Sequence, residues 1–122
     1  MGERRSKFSP LRDVAGMLRS FHYVAHSSLI SRSAEQNPDG IARLERWAQR
    51  WYIGCCSAFL NSYLQVAGRA AFVPQKREEL QILLEAFLLE KAIYELGYEL
   101  NNRPDWVTVP LKGILQLVEP GL

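Results

Sequence analysis

This 122-residue chain lacks most of the parts by which small enzymes and binding modules are recognised. It has two cysteines, Cys55 and Cys56, and they are adjacent. Neighbouring residues on a helix point about 100° apart and a vicinal bridge needs an awkward ring, so neither a disulfide framework nor a zinc knuckle follows. Reduced thiols in or near a core are expected instead. Charge of one sign is missing too. Fifteen Lys and Arg against thirteen Asp and Glu leave a formal +2, too little to argue for a nucleic-acid partner. No apolar run reaches the roughly 18 residues that span a bilayer, and no signal-peptide segment follows Met1, so a cytoplasmic protein without a membrane partner is expected. Gly40, Gly54, Gly68, Gly97 and Gly113 are scattered rather than clustered, which excludes the familiar phosphate-cradling loops.

What remains is helical. Hydrophobic residues at 48% and charged residues at 23% are ordinary for a globular protein, and the length allows one domain, residues 1–122. Residues 1–8 are expected to fray. Ser9-Pro10 opens a first helix, with Ser9 as cap and Pro10 at the first helical position. Leu11, Val14, Ala15, Leu18, Phe21, Ala25 and Leu29 then recur at helical spacing to about Ile30. Asn37-Pro38-Asp39-Gly40 reads as a break. The spacing predicts a second helix from about Ile41 to Val66, with Leu44, Trp47, Ala48, Trp51, Cys55, Ala58, Phe59 and Tyr63 on its buried face and Gly54 as a point of close helix approach. A third runs from Pro74 to about Leu100. A short fourth begins at Pro110 and presents Leu111, Ile114, Leu115 and Val118. No strand run competes and no internal repeat is present. The fold class is all-α: three long helices plus a short C-terminal one.

The third helix carries the chemistry. Glu90, Tyr94, Glu95, Tyr98 and Glu99 run along it into Asn101-Asn102-Arg103-Pro104-Asp105-Trp106. Glu95 and Glu99 fit a pair of working carboxylates or an ion-paired helix face, with Lys91 spaced to meet Glu95. The amides, the guanidinium fork of Arg103 and the flat face of Trp106 supply the mixture that sugars need, hydroxyl partners beside an apolar plane. A polar helix end followed by a core tryptophan accounts for the same residues. His22 and His26, four apart, lack the further ligands of a metal site and read as structural histidines. Asp13, in the first turns of its helix, suits the helix dipole.

These residues also carry a resemblance. Ser9-Pro10-Leu11-Arg12-Asp13-Val14-Ala15-Gly16-Met17-Leu18-Arg19-Ser20-Phe21 resembles the helix-opening motif of bacterial maltokinases, including the maltokinase domains fused to trehalose synthase. Phe87-Leu88-Leu89-Glu90-Lys91-Ala92-Ile93-Tyr94-Glu95-Leu96, with Tyr98-Glu99 and Asn102-Arg103-Pro104-Asp105-Trp106, resembles their C-terminal signature, and Pro110-Leu111-Lys112-Gly113-Ile114 its closing element. Between Ser31 and Arg77 the likeness is one of helical character.

The resemblance implies the helical part of a kinase-like C-terminal lobe. The family transfers the γ-phosphate of ATP to the anomeric hydroxyl of maltose, for α-glucan synthesis. Its nucleotide-binding lobe, catalytic-loop aspartate and Mg²⁺-binding segment would all precede residue 1, so the chain alone is expected to be inactive and to contain no catalytic or metal-binding residue. ATP and Mg²⁺ belong to the intact enzyme. Asp13 would bond back to the catalytic loop and steady it. Glu90, Tyr94, Glu95, Tyr98, Glu99, Asn102, Arg103 and Trp106 would form or support the acceptor-sugar pocket. The implied partners are maltose or a related disaccharide and the missing N-terminal kinase segment, or a second copy meeting exposed apolar faces. The rival reading is an autonomous helical interaction or dimerisation module without enzymatic activity.

Overall fold

The start of the first helix follows directly from Ser9 and Pro10. In a computed structural model, which describes residues 9–32 and 37–118, the Ser9 hydroxyl accepts from the Leu11 amide at 3.3 Å and Pro10 is the first helical residue. The expected fraying of residues 1–8 lies outside the described residues. Helix α1 spans Pro10–Arg32, α2 Pro38–Ala67, α3 Arg77–Asn102 and α4 Thr108–Val118, with one 3₁₀ turn at Pro104–Trp106. The architecture is all-α, three long helices and a short C-terminal one, with no strand among the described residues.

Local chemistry moved several boundaries. Asn37-Pro38-Asp39-Gly40 is the first turn of α2 rather than a break before it. Asn37 caps the helix, its Oδ1 accepting from the Gly40 amide at 2.7 Å, and Pro38 sits where no amide is required. Helix α3 starts at Arg77, three residues after the expected Pro74, because Gln75 ties the preceding turn to the Gly68 and Val73 carbonyls at 3.0 Å each. Helix α4 starts at Thr108, which leaves Pro110 within the first turn, where its missing amide costs no helical bond.

Helix α1 is the hub. It packs along both α2 and α3, and α4 lies against α3 and touches α1. The core joins Leu11, Val14 and Ala15 of α1 to Leu84 and Phe87 of α3, with Phe59, Leu60 and Tyr63 of α2 closing it. Phe21 extends this contact through edge-on packing with Trp51 and Phe59, at 6.3 and 5.9 Å between ring centres.

Helix α2 departs most from expectation. None of its residues is fully buried. Trp47 is 66% exposed, and Trp51 and Ala58 are exposed too, so the two tryptophans are not core. Helix α1 packs along α2, and α4 reaches its first half only at Glu45 and Gln49, so the apolar stripe is hidden only in part. Gly54 marks no close approach either, since a Cβ there would meet nothing within 4 Å. On α4 the buried positions are Val109, Pro110 and Gly113, while Leu111, Leu115 and Val118 face out.

Candidate functional site

Helices α1 and α3 run in the same direction, and a ladder of polar contacts joins them. Arg12 pairs with Glu90 at the exposed end. Two turns along α1, Arg19 donates from Nε to both Glu95 oxygens, at 2.6 and 3.3 Å. Deeper still, the Tyr23 hydroxyl donates to Glu99 at 3.1 Å. Glu99 is fully buried and also accepts the Arg103 fork, Nε and Nη2 each at 3.0 Å. The Arg103 guanidinium in turn lies 4.2 Å over the Trp106 ring. The carboxylates spaced 90, 95 and 99 thus meet groups spaced 12, 19 and 23.

Burial sets the electrostatics of this ladder. Desolvation pushes the Glu95 carboxyl above the usual carboxylate range, and the Arg19 guanidinium beside it pulls the other way. The Tyr23 phenol is raised, first by burial and then by the neighbouring Glu95 and Glu99 charges. Arg103 is raised by its hydrogen bonds to Glu99. The pairs act as clasps between the two helices.

The sequence-predicted set is therefore split. Glu95, Glu99, Arg103 and Trp106 belong to the interhelical network. Tyr98 and Asn102 are exposed outside it, and the Asn102 amide donates back to the Tyr98 carbonyl at 2.9 Å. Glu90, the exposed rung of the ladder, comes together with Asp13 and Tyr94. They line an open cleft of about 900 Å³ between the first half of α1 and the middle of α3, with Arg12, Ser20 and Lys91. Met17 and Phe87 supply its apolar wall. Lys91 does not pair with Glu95 as its spacing suggested; its ammonium lies 6.0 Å over the Tyr94 ring, because Glu95 turns inward to Arg19.

Reading the sequence missed Arg12, Arg19, Ser20 and Tyr23. The available signal was the seven- and four-residue spacing of Arg12, Arg19 and Tyr23, which places one cation-rich stripe along α1.

A second polar cluster sits between α1, α2 and α4. His22 and His26 are both buried, their rings 4.3 Å apart, and none of their four ring nitrogens has a hydrogen-bond partner among the described residues. Burial and the nearby Arg19 hold His22 down to about 2, and burial with Lys112 holds His26 down to about 4. Tyr52, 5.1 Å from His22, is pushed up to about 12 by burial and by Cys56, and Cys56 is raised to about 11 by burial. Both cysteines are free and half-buried. Among the described residues no three His, Cys, Asp or Glu side chains converge as a metal site.

No protein-family model matches this chain. No described helix is long and apolar enough to cross a membrane.

Proposed function

We propose that this chain supplies the acceptor-sugar side, and the helical scaffold behind it, of a maltokinase-like phosphotransferase, and that it transfers no phosphate by itself. The observation that carries the reading is the α1–α3 cleft. Asp13, Glu90, Lys91, Ser20 and Tyr94 converge there beside Met17 and Phe87, hydroxyl-binding groups next to an apolar wall, which is the combination a glucose ring requires. The Arg12–Glu90 pair at the rim is exposed, so a sugar hydroxyl can compete for either partner at little cost. Tyr94 is 70% exposed and can lie flat against a pyranose face.

In this reading Asp13 faces the segment that would carry the catalytic loop, and the loop's aspartate, ATP and Mg²⁺ perform the transfer, which is largely positioning and charge stabilisation. The Glu95 and Glu99 clasps hold the cleft's two walls in register and do not touch the sugar. The working compartment is the cytosol, where Cys55 and Cys56 stay reduced.

Titration with maltose followed by calorimetry tests the proposal. Weak, millimolar binding is expected, lost in Tyr94→Ala and in Glu90→Ala and retained in Tyr98→Ala, which lies outside the cleft. Robust maltose-dependent ADP formation by the pure chain would refute the inactivity claim. A second reading, a helical interaction module, is favoured by one specific observation: α2 leaves a tryptophan-lined face uncovered along its first half.

A further inference from the structure

Helix α2 and the second half of α1 enclose a groove of about 330 Å³, floored by Ala25, Leu29, Leu44 and Ala48 and walled by Trp47 and Trp51. Two exposed arginines, Arg43 and Arg50, stand four residues before and three after Trp47. At those spacings both share a helix edge with it. Neither makes an ion pair with a described residue. Beyond them, residues 51–68 contain no charged side chain. The groove is therefore an apolar slot with a cationic lip.

The same chain carries the inverse surface. On the first half of α3, Ile82 is 67% exposed and stands between Glu78 and Glu85, four residues before and three after it. Both carboxylates are exposed; Glu85 accepts a hydrogen bond from Gln81 at 3.1 Å and neither is paired with a cation among the described residues. The Arg–Trp–Arg edge of α2 and the Glu–Ile–Glu edge of α3 have the same four-and-three spacing, so each pair of charges is seven residues apart, about 10.5 Å along the helix.

We infer that a second copy of this chain is the occupant of the groove: Ile82 of one copy seats between Trp47 and Leu29 of the other, and Glu78 and Glu85 meet Arg43 and Arg50. Groove and ridge are on different helices, so when both copies exchange ridges about a two-fold axis each gives one ridge and receives one, and the isologous contact closes as a dimer. The inference is independent of the sugar cleft, which shares none of these residues.

Sedimentation velocity over a range of concentrations tests it by charge exchange. The native chain should associate, and more weakly at high salt. Arg43→Glu/Arg50→Glu and Glu78→Arg/Glu85→Arg should each weaken self-association at least about tenfold, with far-UV circular dichroism unchanged. Mixing the two variants should restore a 1:1 complex, because every contact in the mixture joins opposite charges. A native chain that stays monomeric throughout, variants that associate like the native chain, or a mixture that fails to pair would each overturn it. Monomeric behaviour with binding of an acidic amphipathic peptide would hand the groove to a different partner.

Discussion

Acidification should unfold this protein through His22 and His26. Both imidazoles are buried between α1, α2 and α4 with no hydrogen-bond partner among the described residues, and the charges around them are chiefly cationic: Arg19 on α1 and Lys112 on α4, with Glu45 of α2 the counterweight at His26. The folded-state values, about 2 and about 4, lie below the unfolded value of about 6.5. The unfolded chain therefore takes up protons first. Stability is fully present above pH 6.5 and is lost as pH falls toward 4. Each histidine contributes about 1.4 kcal/mol per pH unit in that window, so the pair should remove about 5 kcal/mol between about pH 7 and pH 4.5. That is comparable with the whole stability of many small domains. Glu95 opposes this, because its carboxyl, raised by burial, takes up a proton more readily in the folded state, but it supplies one proton against two. Urea midpoints measured across this range, beside the variant His22→Phe/His26→Leu, provide the assay. The native chain should lose stability steeply below pH 6.5, and the variant should be much flatter. Stability that holds level to about pH 5, or imidazole resonances titrating near 6.5 in the folded protein, would refute the reasoning.

The Arg19–Glu95 clasp should behave as a buried pair. Arg19→Met strands a nearly buried carboxylate and should cost about 3–5 kcal/mol in chemical denaturation, most of it recovered in Arg19→Met/Glu95→Leu. Gly113→Ala should cost about 1–3 kcal/mol in the same assay, because the added methyl meets the Arg19 guanidinium, which Glu95 holds in place and which cannot swing aside. Trp47→Ala should change stability by less than about 1 kcal/mol, against the 3–5 kcal/mol typical of a core aromatic.

Features governed by near neighbours in the chain were legible. Ser9-Pro10 named the start of α1, and the apolar spacing named the core residues Leu11, Val14 and Ala15, because capping and periodicity act within a turn or two. The same local view misjudged Trp47 and Trp51. Periodicity reports which residues share a face, and whether that face is covered depends on what reaches it. Here α1 lies along α2 and α4 touches its first half only through polar side chains, Lys112 to Glu45 and Gln116 to Gln49, which leaves Trp47 and Trp51 exposed. It also assigned Glu95 to Lys91, four residues away, when the deciding partner was Arg19, 76 residues away in sequence. Of the eight residues read as a sugar pocket, Glu90 and Tyr94 line the cleft with Asp13, and Glu95, Glu99, Arg103 and Trp106 are engaged in interhelical or helix-end contacts. A polar stripe looks the same in one dimension whether it meets a ligand or another helix.

The most direct test of the proposed cleft is an amide-resolved NMR titration of the folded chain with maltose. Shift changes should cluster at Asp13, Ser20, Glu90, Lys91 and Tyr94 and saturate in the millimolar range, leaving Tyr98 and Asn102 unmoved. Spectra that do not change, or changes centred on Tyr98, Asn102 and Trp106 instead, would contradict a sugar site between α1 and α3.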